Sequence, residues 1–96
     1  MTETTEVQHE ATSDGGRYIS IIDGYEAEMT YKRSEDGTMI IDHTQVPEAL
    51  GGRGIGKTLV KRAVYDARKA NKKIVANCPY AKAQIEKNED WRDVLK

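Results

Sequence analysis

The stretch GGRGIGKT, from Gly51 to Thr58, is the part of this chain whose residue types and spacing most clearly predict chemistry. Gly52, Gly54 and Gly56 leave backbone amides uncovered and permit unusual dihedral angles. A helix is predicted to begin at Ile55, so free N–H groups and the positive end of the helix dipole face the same space. The stretch therefore predicts an anion site, and phosphate is the usual anion of such sites. A plain flexible loop entering a helix is the alternative.

The same stretch matches the G-x-x-x-x-G-K-T pattern of ATP and GTP hydrolases. Those enzymes place the loop after the first strand of a parallel sheet and need a second acidic residue after a strand to hold magnesium. Here three strands are predicted before the loop, and the strand after it ends in Asn77-Cys78 rather than in an aspartate. We therefore interpret the loop as an anion site of another kind and the Lys57-Thr58 match as a coincidence.

The elements that must position this loop follow from hydrophobic periodicity. Alternating residues predict three strands before the loop, the last two forming an antiparallel hairpin. Apolar residues at helical spacing predict an amphipathic helix from Ile55 to Ala70, then a fourth strand, a short helix from Pro79 and a last helical turn. The predicted strands are Arg17–Asp23, Tyr25–Arg33, Thr38–Val46 and Lys72–Cys78. The order β-β-β-α-β-α predicts an α/β (α+β) fold with a mixed, mostly antiparallel sheet covered by both helices.

Composition predicts one small domain with an N-terminal extension. The chain has 96 residues, of which 38% are hydrophobic and 32% charged. Residues 1–16 are polar and acidic and are expected to form a disordered tail, with the folded domain spanning 17–96. The single cysteine, Cys78, predicts a reducing cytoplasm. We expect a monomer. We expect no metal site, because the Cys and His spacing fits none, and no membrane partner, because no apolar run could span a bilayer.

Charge is segregated along the chain although the formal net charge is only −1. Residues 17–50 are mainly acidic, whereas residues 53–73 contain Asp66 as their one acid. The bases of that second segment are Arg53, Lys57, Lys61, Arg62, Arg68, Lys69, Lys72 and Lys73. One end of the domain therefore suits an anion and another a cation.

The residues HTQVPEALGGRGIGKTLVKRAVYDAR, together with NCPYA after the next strand, resemble the small stand-alone members of the GNAT acyltransferase superfamily. The resemblance covers residues 17–95 and rests mainly on the VPEALGGRGIG and CPY segments. It implies a minimal GNAT-like fold, acetyl-coenzyme A as cofactor, and an amine acceptor that is a small molecule or a protein lysine. It places the pyrophosphate on the glycine loop and the pantetheine arm beside the preceding strand. The implied cofactor-binding residues are Thr44, Gln45, Val46, Gly51, Gly52, Arg53, Gly54, Ile55, Gly56, Lys57 and Asn77.

The chain departs from the superfamily pattern at two positions. Gly51 stands where Arg or Gln is usual, so one side-chain contact to phosphate is lost, and Arg53 is expected to replace part of it. Gln45 stands where the small relatives often have Glu, and an amide cannot serve as a general base.

Three residues are candidates for the chemistry of acyl transfer. His43 is the one histidine of the predicted folded domain, and imidazole is a common general base. The alternative is a cross-strand surface residue, although strand alternation places it on the same face as Met39 and Ile41. Cys78 ends the fourth strand and is either an active-site thiol, as a nucleophile that takes the acyl group first or as a donor to the coenzyme A sulfur, or a small core residue. Tyr80 is either the acid that protonates the leaving thiolate or a packing residue. Asn77 either binds pantetheine or caps the helix that begins at Pro79.

Three functions are compared on these grounds. The first is acetyl-coenzyme A-dependent transfer of an acetyl group to an unidentified amine. The second is a non-catalytic acyl-coenzyme A-binding module of the same fold, motivated by Gln45 and Gly51. The third is a nucleic-acid-binding domain that uses the basic helix 55–70, which the near-zero net charge disfavours.

Overall fold

A computed structural model describes residues 6–96 as one sheet with two helices packed on it. The strands are β1 (Gln8–Thr12), β2 (Gly15–Ile22), β3 (Tyr25–Arg33), β4 (Met39–Gln45) and β5 (Ile74–Ala76). The helices are α1 (Ile55–Lys69) and α2 (Pro79–Lys87), with short 3₁₀ helices at Glu48–Leu50 and Glu89–Val94. Among residues 6–96, no helix has the length and apolar character needed to cross a bilayer.

The sheet has the spatial order β1-β2-β3-β4-β5. Neighbouring strands from β1 to β4 are antiparallel, whereas β4 and β5 are parallel and are connected through α1. A parallel pair requires such a crossover connection. The predicted mixed, mostly antiparallel sheet is therefore confirmed, and so are the helix after the glycines and the helix that begins at Pro79.

The N-terminal segment differs from its prediction. Residues 8–12, expected in a disordered tail, form β1 and pair with β2 from Gln8↔Ile19 to Thr12↔Gly15. The element order is therefore β-β-β-β-α-β-α. All five residues of β1 are exposed, so the strand carries no apolar alternation from which it could have been recognised. The part of the predicted tail at residues 1–5 lies outside the described residues.

Both helices cover the same face of the sheet. The strand residues of the core, such as Tyr18, Met29 and Ile41, point to one face by their pairing register. Leu59 and Val60 of α1 and, at the other helix, the apolar side of α2 pack into that same cluster. The opposite face carries no helix in the part of the chain that the structure describes, and it is largely polar.

A bulge in β4 decides which of its residues face the helices. Tyr31 pairs with Ile41 and Thr30 pairs with His43, so Asp42 is the extra residue between the two pairs. An extra residue reverses the alternation of the side chains that follow it. Thr44 therefore faces the helices, opposite Met29.

Candidate functional site

The glycine loop presents a run of amides at the start of α1. Gly52 and Gly54 have φ angles of +79° and +72°, in the left-handed region that glycine tolerates. Backbone hydrogen bonding stops at Gly51, whose N–H donates to Glu48 O at 3.0 Å, and resumes at Thr58, whose N–H donates to Gly54 O at 3.0 Å. The amides of residues 52–57 take no backbone acceptor within the described chain. They form a continuous set of donors at the positive end of a helix.

A cavity of about 260 Å³ opens in front of this loop. Its walls come from the loop, from the end of β4 and from the start of α2. The lining residues are Val46, Pro47, Glu48, Leu50, Gly51, Gly52, Gly54, Ile55, Gly56 and Tyr80. The loop amides and Tyr80 therefore border one space, although they are well separated in the sequence.

Two side chains at the loop, Thr58 and Arg53, already have hydrogen-bond partners. The Thr58 hydroxyl donates to Gly54 O at 2.9 Å, within the first turn of α1. Arg53, expected to contact phosphate, donates from Nη1 to Asp23 Oδ2 at 2.9 Å. Both members of this ion pair are largely exposed, so separating them costs little. Arg53 can therefore turn towards a phosphate on the loop at a small energetic cost.

Strands β4 and β5 separate just before the loop. Their pairing ends at Ile41↔Ala76, after which the N–H groups of Asn77 and Cys78 both donate to Ile41 O at 2.9 and 3.1 Å. Beyond this point β4 stays paired with β3 through Gln45, but its edge towards β5 has no strand partner among the described residues. An unpaired strand edge offers backbone donors and acceptors to an extended ligand.

Cys78 lies where the two strands part. It is 6% exposed, and its Sγ is 3.5 Å from Thr44 Oγ1 on the facing strand. Burial acts to raise the pKa of this thiol, but the Thr44 hydroxyl and the amides of Ala81 and Tyr80 outweigh it, so the pKa is lowered overall. Cys78, rather than Asn77, occupies the N-cap position of α2, which explains why those amides face the sulfur. Asn77 is exposed at this edge, and its predicted capping role is wrong.

Tyr80 lies on the first turn of α2 against the first turn of α1. A Cβ on Gly56 would come within 2.7 Å of Cζ of the Tyr80 ring, so the absence of a side chain at Gly56 makes room for it. Tyr80 also lines the cavity and is 39% exposed. Burial raises the pKa of its phenol, and the neighbouring Cys78 raises it further. The phenol therefore keeps its proton at neutral pH.

His43 does not join these residues. The bulge at Asp42 places it opposite Thr30, on the face without helices, where it is exposed. The prediction that it shares a face with Met39 and Ile41 is therefore wrong, because that prediction assumed unbroken alternation. Gln45, paired with Glu28, lies on the same helix-free face and is also exposed.

Two features of the site could not be found from the sequence. One is the contact between Thr44 and Cys78, which depends on the bulge and on the pairing of β4 with β5. The other is the packing of the Tyr80 ring against Gly56, which depends on how the two helices cross. Neither has a local sequence signal.

The comparisons with known proteins agree with this architecture. The model of the family described as GCN5-related N-acetyl-transferase matches residues 17–94. A solved structure, determined by NMR in solution for a GCN5-like candidate N-acetyltransferase from Staphylococcus aureus, is 35% identical with a TM-score of 0.72. The match covers 93% of this chain and 87% of that one. No curated protein matches the chain. The fold, the family match over most of the chain and the likeness to this structure together show that the chain belongs to the GCN5-related N-acetyltransferase family.

Proposed function

We propose that this protein is an N-acetyltransferase that takes its acetyl group from acetyl-coenzyme A. The observation that carries the proposal is the run of amides at residues 52–57, which opens into the cavity bordered by Tyr80. Those amides suit a pyrophosphate, and the unpaired edge of β4 at Thr44–Val46 suits the amide-containing pantetheine arm.

The local structure fits such a ligand. An added Cβ at Gly52 or Gly54 would meet no atom within 4 Å, so the space above both residues is open. Side chains there would occupy the place proposed for the phosphates. Gly51 is included among the proposed cofactor-binding residues because it adjoins the loop. Its own amide already donates to the Glu48 carbonyl. Lys57, exposed on the first turn of α1, adds positive charge near the same place.

One residue beside the cavity suits one of the two proton transfers that acetyl transfer to an amine requires. Acetyl-coenzyme A supplies an acetyl group activated as a thioester. Transfer breaks the C–S bond and forms a C–N bond, so a proton must leave the amine and a proton must reach the departing sulfur. The Tyr80 phenol, which holds its proton at neutral pH, is proposed to supply the second proton. Backbone N–H groups near Val46 are proposed to polarise the carbonyl.

Cys78 has two proposed roles that one experiment separates. Its lowered pKa and its position at the gap between β4 and β5 suit a nucleophile that accepts the acetyl group first. Its burial also suits a residue that only packs beside the thioester. Intact mass should be measured after incubation with acetyl-coenzyme A. A mass increase of one acetyl group that is lost in Cys78→Ala supports the covalent route, and direct transfer predicts no such increase.

The acceptor is proposed to be a cationic amine. Exposed carboxylates, including Asp42 beside the gap and Glu48 on the cavity wall, favour such a substrate. Release of the coenzyme A thiol should be followed with polyamines, lysine peptides and aminoglycosides in turn. Release that depends on one of these amines supports the proposal. Binding of acetyl-coenzyme A without release for any amine favours the alternative, a non-catalytic acyl-coenzyme A-binding module.

The non-catalytic binding module is supported by Gln45, whose amide cannot take a proton. The nucleic-acid alternative has less support from the structure, since two of the basic residues of α1 are engaged. Arg62 is paired with Asp66, and Arg68 is paired with Asp93. The single cysteine of the sequence motivates a cytoplasmic setting, which also remains a proposal.

A further inference from the structure

A second cavity lies at the other end of α1, away from the glycine loop. Its volume is about 520 Å³, and it is bordered by the last turns of α1, by the β3–β4 hairpin and by one residue of β1. It shares no lining residue with the cavity at the glycine loop. Cavities of about 300–1,000 Å³ are the usual size of small-molecule sites.

Small residues create this space. Ala67 of α1 and Ala70, which follows the last residue of α1, lie above it, and Gly37 of the hairpin beside it makes room for the Lys72 side chain. Met39, 7% exposed, lies at the bottom of the cavity, and Tyr18, 0% exposed, lies beneath the stacked ring of His9. The walls are therefore apolar near the sheet, and no bulky side chain of the helix fills the volume.

A satisfied polar network holds one wall in place. The Tyr18 hydroxyl donates to Asp66 Oδ2 at 2.9 Å, and Arg62 Nε donates to Asp66 Oδ1 at 3.3 Å. His9 stacks on Tyr18 with ring centroids 4.3 Å apart and shares a hydrogen bond of 2.6 Å with the Tyr31 hydroxyl. No buried side-chain nitrogen or oxygen among residues 6–96 lacks a partner, so the network is complete without a ligand. It gives the cavity a pre-formed wall.

The charged groups around the cavity are unbalanced. Asp66 is its one carboxylate, and Arg62, which contacts it, is already paired. Three further cations line the cavity: Arg33, Lys69 and Lys72. None of the three is within ion-pair distance of a carboxylate in the part of the chain described. Arg33 instead lies over the Tyr31 ring, and Lys72 Nζ donates to the backbone carbonyl of Asp36 at 3.1 Å, so no carboxylate neutralises either charge. Cations without a carboxylate partner beside an apolar wall favour an anion with an apolar body.

We propose that this cavity binds a small organic anion whose apolar body lies over Met39 beside the His9 ring and whose carboxylate or phosphate group meets Arg33 and Lys69. The ligand class is set by the cavity alone and does not depend on the proposed acetyltransferase activity. His9 brings β1 into the wall of the site, which gives the first strand a part in ligand binding as well as in the sheet.

The test is an NMR titration of the ¹⁵N-labelled chain with benzoate, phenyl phosphate and inorganic phosphate in separate arms. The two organic anions should shift the amides of His9, Gly37 and Ala70 and leave residues 52–57 in place. The more effective of the two identifies the preferred head group. Shifts from inorganic phosphate as large as those from phenyl phosphate would overturn the organic ligand class.

Variants at the cavity and a control pair elsewhere distinguish binding in this cavity from attraction by the overall positive charge. Arg33→Gln combined with Lys69→Gln should weaken binding by about tenfold or more, since both are exposed and remove charge without touching the core. Ala70→Leu should abolish binding by filling the cavity. Lys82→Gln combined with Lys87→Gln, on exposed positions of α2, removes the same charge elsewhere and should change nothing. No shift at millimolar ligand, or equal weakening in this control, would overturn the proposal.

Discussion

Three glycines with positive φ allow the role of the loop to be separated from its contribution to stability. Gly54 and Gly24 have φ angles of +72° and +82°, and an added Cβ at either meets nothing within 4 Å. Alanine at either position therefore suffers backbone strain but no clash. The cost of the left-handed conformation is about 1 kcal/mol, which lowers the melting temperature of a domain of this size by about 4–8 °C. Gly54→Ala and Gly24→Ala should destabilise the protein about equally.

Ligand binding should distinguish the two variants. Gly24 lies in the β2–β3 turn, whereas Gly54 lies among the free amides of the loop. A methyl group at Gly54 blocks the approach of the pyrophosphate, and each lost charge-assisted hydrogen bond costs about 1.5–3 kcal/mol. Affinity for acetyl-coenzyme A should therefore fall by about tenfold to a hundredfold in Gly54→Ala and stay unchanged in Gly24→Ala.

Calorimetric titration with acetyl-coenzyme A measures the affinity, and thermal unfolding of the same samples measures the stability. Gly52→Ala, with a φ angle of +79° and equally open space, provides a second loop variant that should behave like Gly54→Ala. Equal affinity in all three variants would refute the assignment of the phosphates to this loop.

Three further predictions concern the proposed active site and the acid limit of stability. Tyr80→Phe should lower kcat by about a hundredfold with little change in KM for acetyl-coenzyme A, and an unchanged kcat would remove Tyr80 from the proton transfer. Thr44→Val should raise the pKa of Cys78, because the hydroxyl that favours the thiolate is lost. The midpoint of the pH profile for alkylation by iodoacetamide should move to higher pH, and an unmoved midpoint would contradict this contact. The Ser34 hydroxyl and the Thr38 amide hold the pKa of Asp36 below its unfolded value, so its contribution to stability is complete above about pH 4 and is lost as the pH falls. Urea midpoints should therefore drop less on acidification in Asp36→Asn than in the parent chain, and parallel curves would count against this role.

The sequence predicted the elements that have a strong internal pattern. The helix from Ile55 was predicted to Ala70 and ends at Lys69, because its apolar stripe and the preceding glycines mark it locally. The strand alternation of Tyr25–Arg33 likewise gave the observed limits of β3. These segments need no partner to be recognised.

The features that were missed depend on contacts between distant segments. β1 exists through its pairing with β2, and its exposed residues carry no signal of their own. The bulge at Asp42 moved His43 to the other face, which no reading by simple alternation could anticipate. The pairing of Arg53 with Asp23 joins the loop to the β2–β3 turn across the fold. The roles of the individual site residues stay predictions until ligand binding is measured.

The most direct test of the central claim is an NMR titration of the ¹⁵N-labelled chain with acetyl-coenzyme A. The account predicts that the amides of Val46 and of residues 52–57 shift together and that those of His9 and Gly37, at the other end of α1, do not. Unmoved loop amides at millimolar acetyl-coenzyme A would contradict the proposed cofactor site.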